Sequence, residues 1–200
     1  MDRSRRFLDA AAAAAESRGI AQVEFHELDL DEHSLPDVRV DGAWSRWVYS
    51  FVRKPQDVLR KVAAVVKPGG AMVLHEYVDY RAWRLSPPRP EFEMFVNEVM
   101  ASWRDSGGEP DIGLILPRWL EESGFEVRAI RPLIETPRRG DFFWQWPNIF
   151  VNVGLQRLVD LGRVTAAQAD GIRRAFHESQ QAPGAFQLTP TVLEIVAYKR

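Results

Sequence analysis

Apolar residues recur along this chain with two different periods. Between Pro55 and Lys67, Val58, Leu59, Val62, Val65 and Val66 fall on one helical face, while Arg60, Lys61 and Lys67 lie largely outside it. Pro55 stands near the start, where a missing N–H costs nothing. Pro68-Gly69-Gly70 predicts the helix stop and a tight turn with positive φ. Ala71 to Tyr77 then runs apolar through Met72, Val73 and Leu74, as in a strand covered on both faces. With a short strand near Ala43, residues 41–77 read strand, helix, strand: a βαβ unit with a right-handed crossover.

The flanking segments follow from the same patterns. Ser4 to Arg18 reads as a helix with Phe7, Leu8 and Ala11 on its apolar side and Gly19 at its end. Ala21 to Leu28 alternates, Val23 and Phe25 against Glu24 and His26, and predicts a strand running into Leu28-Asp29-Leu30-Asp31 and a polar loop. From Val78 the prolines Pro87, Pro88 and Pro90 predict irregular chain. Phe92, Phe95, Val96, Val99, Met100 and Trp103 then form the strongest helical stripe, ended by Gly107-Gly108. Leu116 to Ser123 is a short helix with Pro117 in its first turn, and Phe125 to Leu133 is a strand. An aromatic segment, 140–161, carries Phe142, Phe143, Trp144 and Trp146. Thr165 and Gln168 have the spacing of a capping box, and Thr191 to Tyr198 is a terminal strand.

Composition narrows the function classes. Two hundred residues with 46% apolar content suffice for one domain with a substantial core. A formal charge of −2 gives no basic footprint for nucleic acid or for an anionic membrane. No apolar run approaches the ~20 residues of a membrane span, and a cytoplasmic location is expected. Cysteine is absent, which excludes disulfides and thiolate metal sites. His26, His33, His75 and His177 show no metal-ligand spacing.

Candidate chemistry sits at strand ends, because ligands of open parallel sheets bind beyond the carboxyl ends of the strands. Three places qualify: Asp2 ahead of the first helix, Asp29 after the Val23–Leu28 strand, and Trp44-Ser45-Arg46-Trp47 after the short strand. One carboxylate there can accept both hydroxyls of a ribose. A second can accept from the exocyclic amine of a purine while the Leu30 N–H meets a ring nitrogen. Asp2 and Asp29 also have plainer roles open to them, as helix-cap and turn residues.

The order of these motifs resembles the class I S-adenosylmethionine-dependent methyltransferases, of the small-molecule methyltransferase-domain type. The resemblance is carried by Asp2-Arg3-Ser4-Arg5-Arg6-Phe7-Leu8, by Val23 through Leu30 with Leu35-Pro36, by Asp41 through Val48, and by Val58-Leu59 through Lys67-Pro68-Gly69-Gly70. It is continuous over about the first eighty residues. Leu116 through Phe125 and the terminal strand extend it diffusely. It implies an α/β, Rossmann-like sheet with helices on both faces and an antiparallel last strand. It implies S-adenosylmethionine as cofactor, held by Asp2, Asp29, Leu30, Ser45 and Arg46. The family's glycine-rich loop, which cradles the methionyl part, has no counterpart: none of the thirteen glycines forms Gly-x-Gly. By the family pattern the first strand, first helix and most of the second strand lie before Met1, so an N-terminally truncated chain with impaired activity is expected.

On the substrate side, residues 78–111 and 140–190 are expected to form a helical lid around a small molecule, with 1–77 on the cofactor side and 112–133 and 191–198 completing the sheet. Glu76, Tyr77 and Trp144 are the candidate pocket residues, although Glu76 also reads as a surface residue at a strand end and the Trp144/Trp146 cluster as packing. No side chain is singled out as a general base. Two other classes remain open: a non-catalytic methyltransferase-like module that binds a partner through its aromatic segments, and a dinucleotide-dependent oxidoreductase.

Overall fold

The computed structural model describes residues 1–200. In chain order the elements are α1 (Arg5–Ser17), β1 (Val40–Arg46), α2 (Pro55–Val65), β2 (Val66–Asp79), β3 (Arg84–Ser86), α3 (Pro90–Asp105), α4 (Leu116–Glu122), β4 (Phe125–Leu133), α5 (Gln145–Asp160), α6 (Ala166–Gln181), β5 (Phe186–Leu188) and β6 (Thr191–Lys199). The main sheet has the order β1-β2-β6-β4, with β1 and β2 parallel and β6 antiparallel to both of its neighbours. It is the mixed α/β sheet expected, with the antiparallel strand last in the chain.

The crossover forms as its pattern requires, but its turn is built differently. α2 ends at Val65, and Val66 is already extended (φ −74°, ψ 130°). β2 therefore starts before Pro68-Gly69-Gly70, which becomes a bulge: Val40 faces Val66, yet Gly42 faces Ala71. Pro68 has no N–H to give the ladder, and Gly69 takes the positive φ (+78°) that closes the bulge. A Cβ on Gly70 would lie 2.7 Å from Val66 Cγ1 and 2.9 Å from the Asp41 carbonyl, so a side chain has no room there.

Two apolar clusters result. Leu59, Met72, Leu74, Leu116, Phe125 and Ile195 join α2 and α4 to one face of the sheet. Trp83, Phe92, Phe95, Leu155, Ile172 and Phe176 join α3, α5 and α6. The α3 stripe is wholly buried, as its spacing predicts. The capping box opens α6: Thr165 Oγ1 accepts from the Gln168 N–H at 3.2 Å, and Gln168 Oε1 accepts from the Thr165 N–H at 2.8 Å. On β2, Met72, Leu74 and Glu76 are buried while Val73 and His75 are only half-buried, so the two faces are not equally covered.

Two expectations fail. Ala21 to Leu28 is no strand; only Glu27 pairs, in an isolated bridge with Asp2. Its alternation is real, but nothing lies beside residues 21–25 to take their hydrogen bonds, and Val23 stays exposed. The proline-rich segment, in turn, is partly regular. Arg84–Ser86 pairs with Phe186–Leu188 across a hundred residues, and the buried Trp83 Nε1 donates to Gln187 Oε1 at 2.9 Å.

The loop that carries Asp29 and Leu30 is pinned to α2. The Asp31 carboxylate accepts from the backbone N–H groups of Arg53 (3.0 Å) and Lys54 (3.1 Å) at the helix entrance. Lys61 Nζ donates to the carbonyls of Leu30 (2.7 Å) and His33 (2.8 Å). Burial opposes the charge of Asp31, but the two N–H groups and the Arg53 guanidinium outweigh it and hold the carboxyl below its ordinary value of 3.8. A depressed folded pKa gives stability that is present above the unfolded value and is lost as pH falls through the folded one. Asp31→Ala is expected to lower stability by about 1–2 kcal/mol at pH 7. Denaturant titrations should show that difference shrinking below the ordinary aspartate pKa.

Candidate functional site

The N-terminal segment, the loop after residue 28 and the turn after β1 converge on a cleft of about 310 Å³. Asp2, Asp29 and Leu30 all line it. The isolated bridge brings the two acids together: the Asp2 N–H donates to the His26 carbonyl (3.2 Å) and the Leu28 N–H to the Asp2 carbonyl (2.9 Å). Each carboxylate uses Oδ1 locally, Asp2 accepting from the Ser4 N–H at 2.7 Å and Asp29 from the Asp31 N–H at 2.9 Å. Oδ2 of each, and the Leu30 N–H, make no hydrogen bond within the chain. The cap and turn roles and a ligand role are therefore compatible.

Ser45 and Arg46 do not join this cleft. β1 runs through Arg46, two residues further than the strand placed near Ala43, so alternation sends the two side chains to opposite faces. Ser45, opposite Leu74, lines an apolar cavity of about 290 Å³ beside α2, its hydroxyl buried without a partner. Arg46, opposite His75, faces the aromatic segments. Trp47 and Val48 line the acidic cleft instead.

Trp47 is the hinge of the arrangement. Its φ is +55°, alone among non-glycine residues in being positive, and its N–H donates to the His75 carbonyl at 2.9 Å. The indole stacks on Tyr77 (centroids 5.4 Å, planes 6° apart) and on Trp146 (5.5 Å, 26°), and the Arg46 guanidinium carbon lies 4.0 Å from its centroid. Beyond it are two more cavities, of about 570 and 230 Å³, which share Arg46, Trp47, Phe143 and Trp146. Trp47 thus borders the acidic cleft on one side and the aromatic chambers on the other.

Of the predicted pocket residues, Tyr77 lines the smaller chamber. Burial, with the Glu76 charge adding and Arg46 opposing, pushes its hydroxyl pKa far above the ordinary range, so it stays neutral. Trp144 is buried near Phe176, with Nε1 unpaired, and lines none of these cavities. It stands two residues from Trp146 at the start of α5, about 200° around the helix, so only one of the pair can face the chamber. The structure gives that place to Trp146. Aromatic content signals this wall; which aromatics form it depends on the helix start.

Glu76 faces no cavity and no solvent. Its oxygens accept from the N–H groups of Val48 (2.7 Å), Tyr49 (2.9 Å) and Ser50 (3.1 Å) and from Ser50 Oγ (2.7 Å). Burial raises its pKa and the four donors pull it back. Three of the four partners are backbone N–H groups that can only donate, and these favour the carboxylate form. Glu76→Gln points an NH₂ at those donors and should cost about 3 kcal/mol or more in urea unfolding. A loss below ~1 kcal/mol would show that the turn does not depend on the charge.

Comparisons with known proteins bear on the fold and on the N-terminal part of the chain. The methyltransferase domain family matches residues 1–74. No curated protein matches the chain at the sequence level. Among solved structures, a SAM-dependent methyltransferase from Methanosarcina mazei is similar at 15% identity, over 99% of this chain and 79% of its own, with a TM-score of 0.53. A Haemonchus contortus phosphoethanolamine N-methyltransferase, bound to phosphomonomethylethanolamine and S-adenosylhomocysteine, is similar at 16% identity over 99% and 42% (TM-score 0.51). The [4+2]-cyclase SpnF is similar at 20% identity over 98% and 64% (TM-score 0.52), so the fold by itself does not select a reaction. The chain therefore shares the fold of solved SAM-dependent methyltransferases and, over residues 1–74, matches the methyltransferase domain family.

Proposed function

We propose that the protein transfers a methyl group from S-adenosylmethionine to a small molecule. One observation carries this: two carboxylates, each with an unengaged oxygen, share a cleft with the unpaired Leu30 N–H, and Trp47 lines both that cleft and an aromatic chamber. The residues fit the adenosine half of the cofactor, Asp2 toward the ribose hydroxyls and Asp29 with Leu30 toward the adenine edge. No Gly-x-Gly within these residues offers a cradle to the methionyl half. When bound, the cofactor supplies an electrophilic methyl on a sulfonium whose leaving group is a neutral thioether.

The chain's own task is then alignment and exclusion of water. Trp47, Phe143 and Trp146 provide flat, apolar walls on the acceptor side. Residues 140–190 supply Phe143 and Trp146, residues 1–77 supply Trp47 together with the cofactor side, and residues 78–111 line neither chamber. No helix is long and apolar enough to cross a membrane, and we place the reaction in the cytoplasm on a free small molecule rather than on nucleic acid or lipid.

Calorimetry with S-adenosylmethionine tests the assignment. Asp29→Ala should weaken binding by about 1–3 kcal/mol, roughly five- to a hundred-fold, with no comparable heat from nicotinamide dinucleotides in either protein. Unchanged affinity would remove Asp29 from the site, and absence of binding by the unaltered chain would remove the methyl-transfer assignment itself.

A further inference from the structure

Arg46 is the one charged residue lining the larger aromatic chamber, where its companions are chiefly Trp47, Phe143, Trp146, Ile149 and Phe150. It makes no ion pair, whereas many of the other arginines, Arg53, Arg104 and Arg163 among them, are paired with carboxylates. Its guanidinium instead lies over the Trp47 ring. The smaller chamber, which shares Arg46, adds His75 and Glu135. His75 is engaged with the Glu194 carboxylate at 3.2 Å, and Arg131 takes the other oxygen of Glu194 at 3.1 Å. Glu135 is exposed and belongs to the smaller chamber only. The larger chamber thus presents a single unpaired positive charge against flat apolar walls.

We infer that the acceptor side takes a flat, apolar molecule carrying one anionic group, with the rings between Trp146 and Phe143 and the anion on Arg46. This deepens the methyl-transfer assignment and rests on it for calling the occupant a substrate. The chemistry is charge complementarity on an open, largely apolar surface, where Arg46 and Phe143 are both exposed. A guanidinium is weakly hydrated and already held on an aromatic face, so pairing it with an anion gives up little side-chain freedom. The apolar walls favour ring systems, and an occupant seated on them covers Arg46 and strengthens that pair by displacing water. A neutral molecule would leave the charge unmatched, and a cation would be repelled by it.

A matched pair of fluorescent probes tests the inference without a known substrate: 8-anilinonaphthalene-1-sulfonate and its uncharged parent, N-phenyl-1-naphthylamine. The intact chain should bind the sulfonate about fivefold more tightly than the parent. Arg46→Gln should abolish that preference while leaving the parent's affinity unchanged, and Arg46→Lys should restore part of it. Trp146→Ala should weaken both probes, with circular dichroism melting checking that each variant folds. Equal affinity for the two probes, a preference that survives Arg46→Gln, or binding indifferent to Trp146→Ala would each overturn the inference. Calorimetry with S-adenosylmethionine on the same preparations separates the two levels. Cofactor binding without the anion preference sinks this inference alone, whereas the preference without cofactor binding sinks the methyl-transfer assignment and leaves the anion site standing.

Discussion

The contact on which the site depends is the buried Glu76 carboxylate and the three successive N–H groups of Val48, Tyr49 and Ser50. A carboxylate taken out of water costs several kcal/mol, and charge-assisted hydrogen bonds return about 1.5–3 kcal/mol each. Four of them bring the account near balance. The carboxylate therefore contributes little net stability while making any other path for the chain after β1 expensive. Its role is to specify a conformation: it fixes where the strand stops and where the next turn begins, and Trp47 lies between the two.

Trp47 would not choose its backbone conformation unaided. A left-handed residue with a Cβ costs about 1–2 kcal/mol, and such strain persists only where surroundings over-determine it. Here the His75 carbonyl holds the Trp47 N–H, Glu76 holds the following turn, and stacking on Tyr77 and Trp146 adds about 0.5–1.5 kcal/mol per pair. The consequence is a single indole standing between two chambers of opposite character. Asp2 and Asp29 give the first its acidity; Arg46 gives the second its positive charge.

Much of this was legible in the residue pattern, and the failures share a physical cause. The α3 stripe, the capping box of α6 and the strand Phe125–Leu133 depend on local periodicity and appear where the pattern puts them. Residues 21–28 show the alternation of a strand but lack a neighbour, and pairing is not a local property. β3 and β5 have no local signal, since three residues pair with three others far along the chain. Asp2, Asp29 and Leu30 meet through the isolated bridge between Asp2 and Glu27, although the strand expected ahead of Asp29 does not form. Ser45 and Arg46 do not, because one residue of β-strand reverses the direction of a side chain. Parity could have placed Glu76: Met72, Leu74 and Glu76 share one face, and the first two are core.

The same parity decides which chemistry the molecule can hold. The fold admits methyl transfer and cyclisation alike, so the reaction must be sought in what the chambers contain. Alternation along β1 sends the hydroxyl of Ser45 toward α2 and the guanidinium of Arg46 toward the aromatic chambers; α5 turns Trp146 to meet it and Trp144 away. Had β1 ended one residue earlier, Arg46 would belong to the loop and the chamber would lose its only charge. The charge of that chamber is then set by the length of a strand, and the turn after that strand is held by a carboxylate that lines neither chamber.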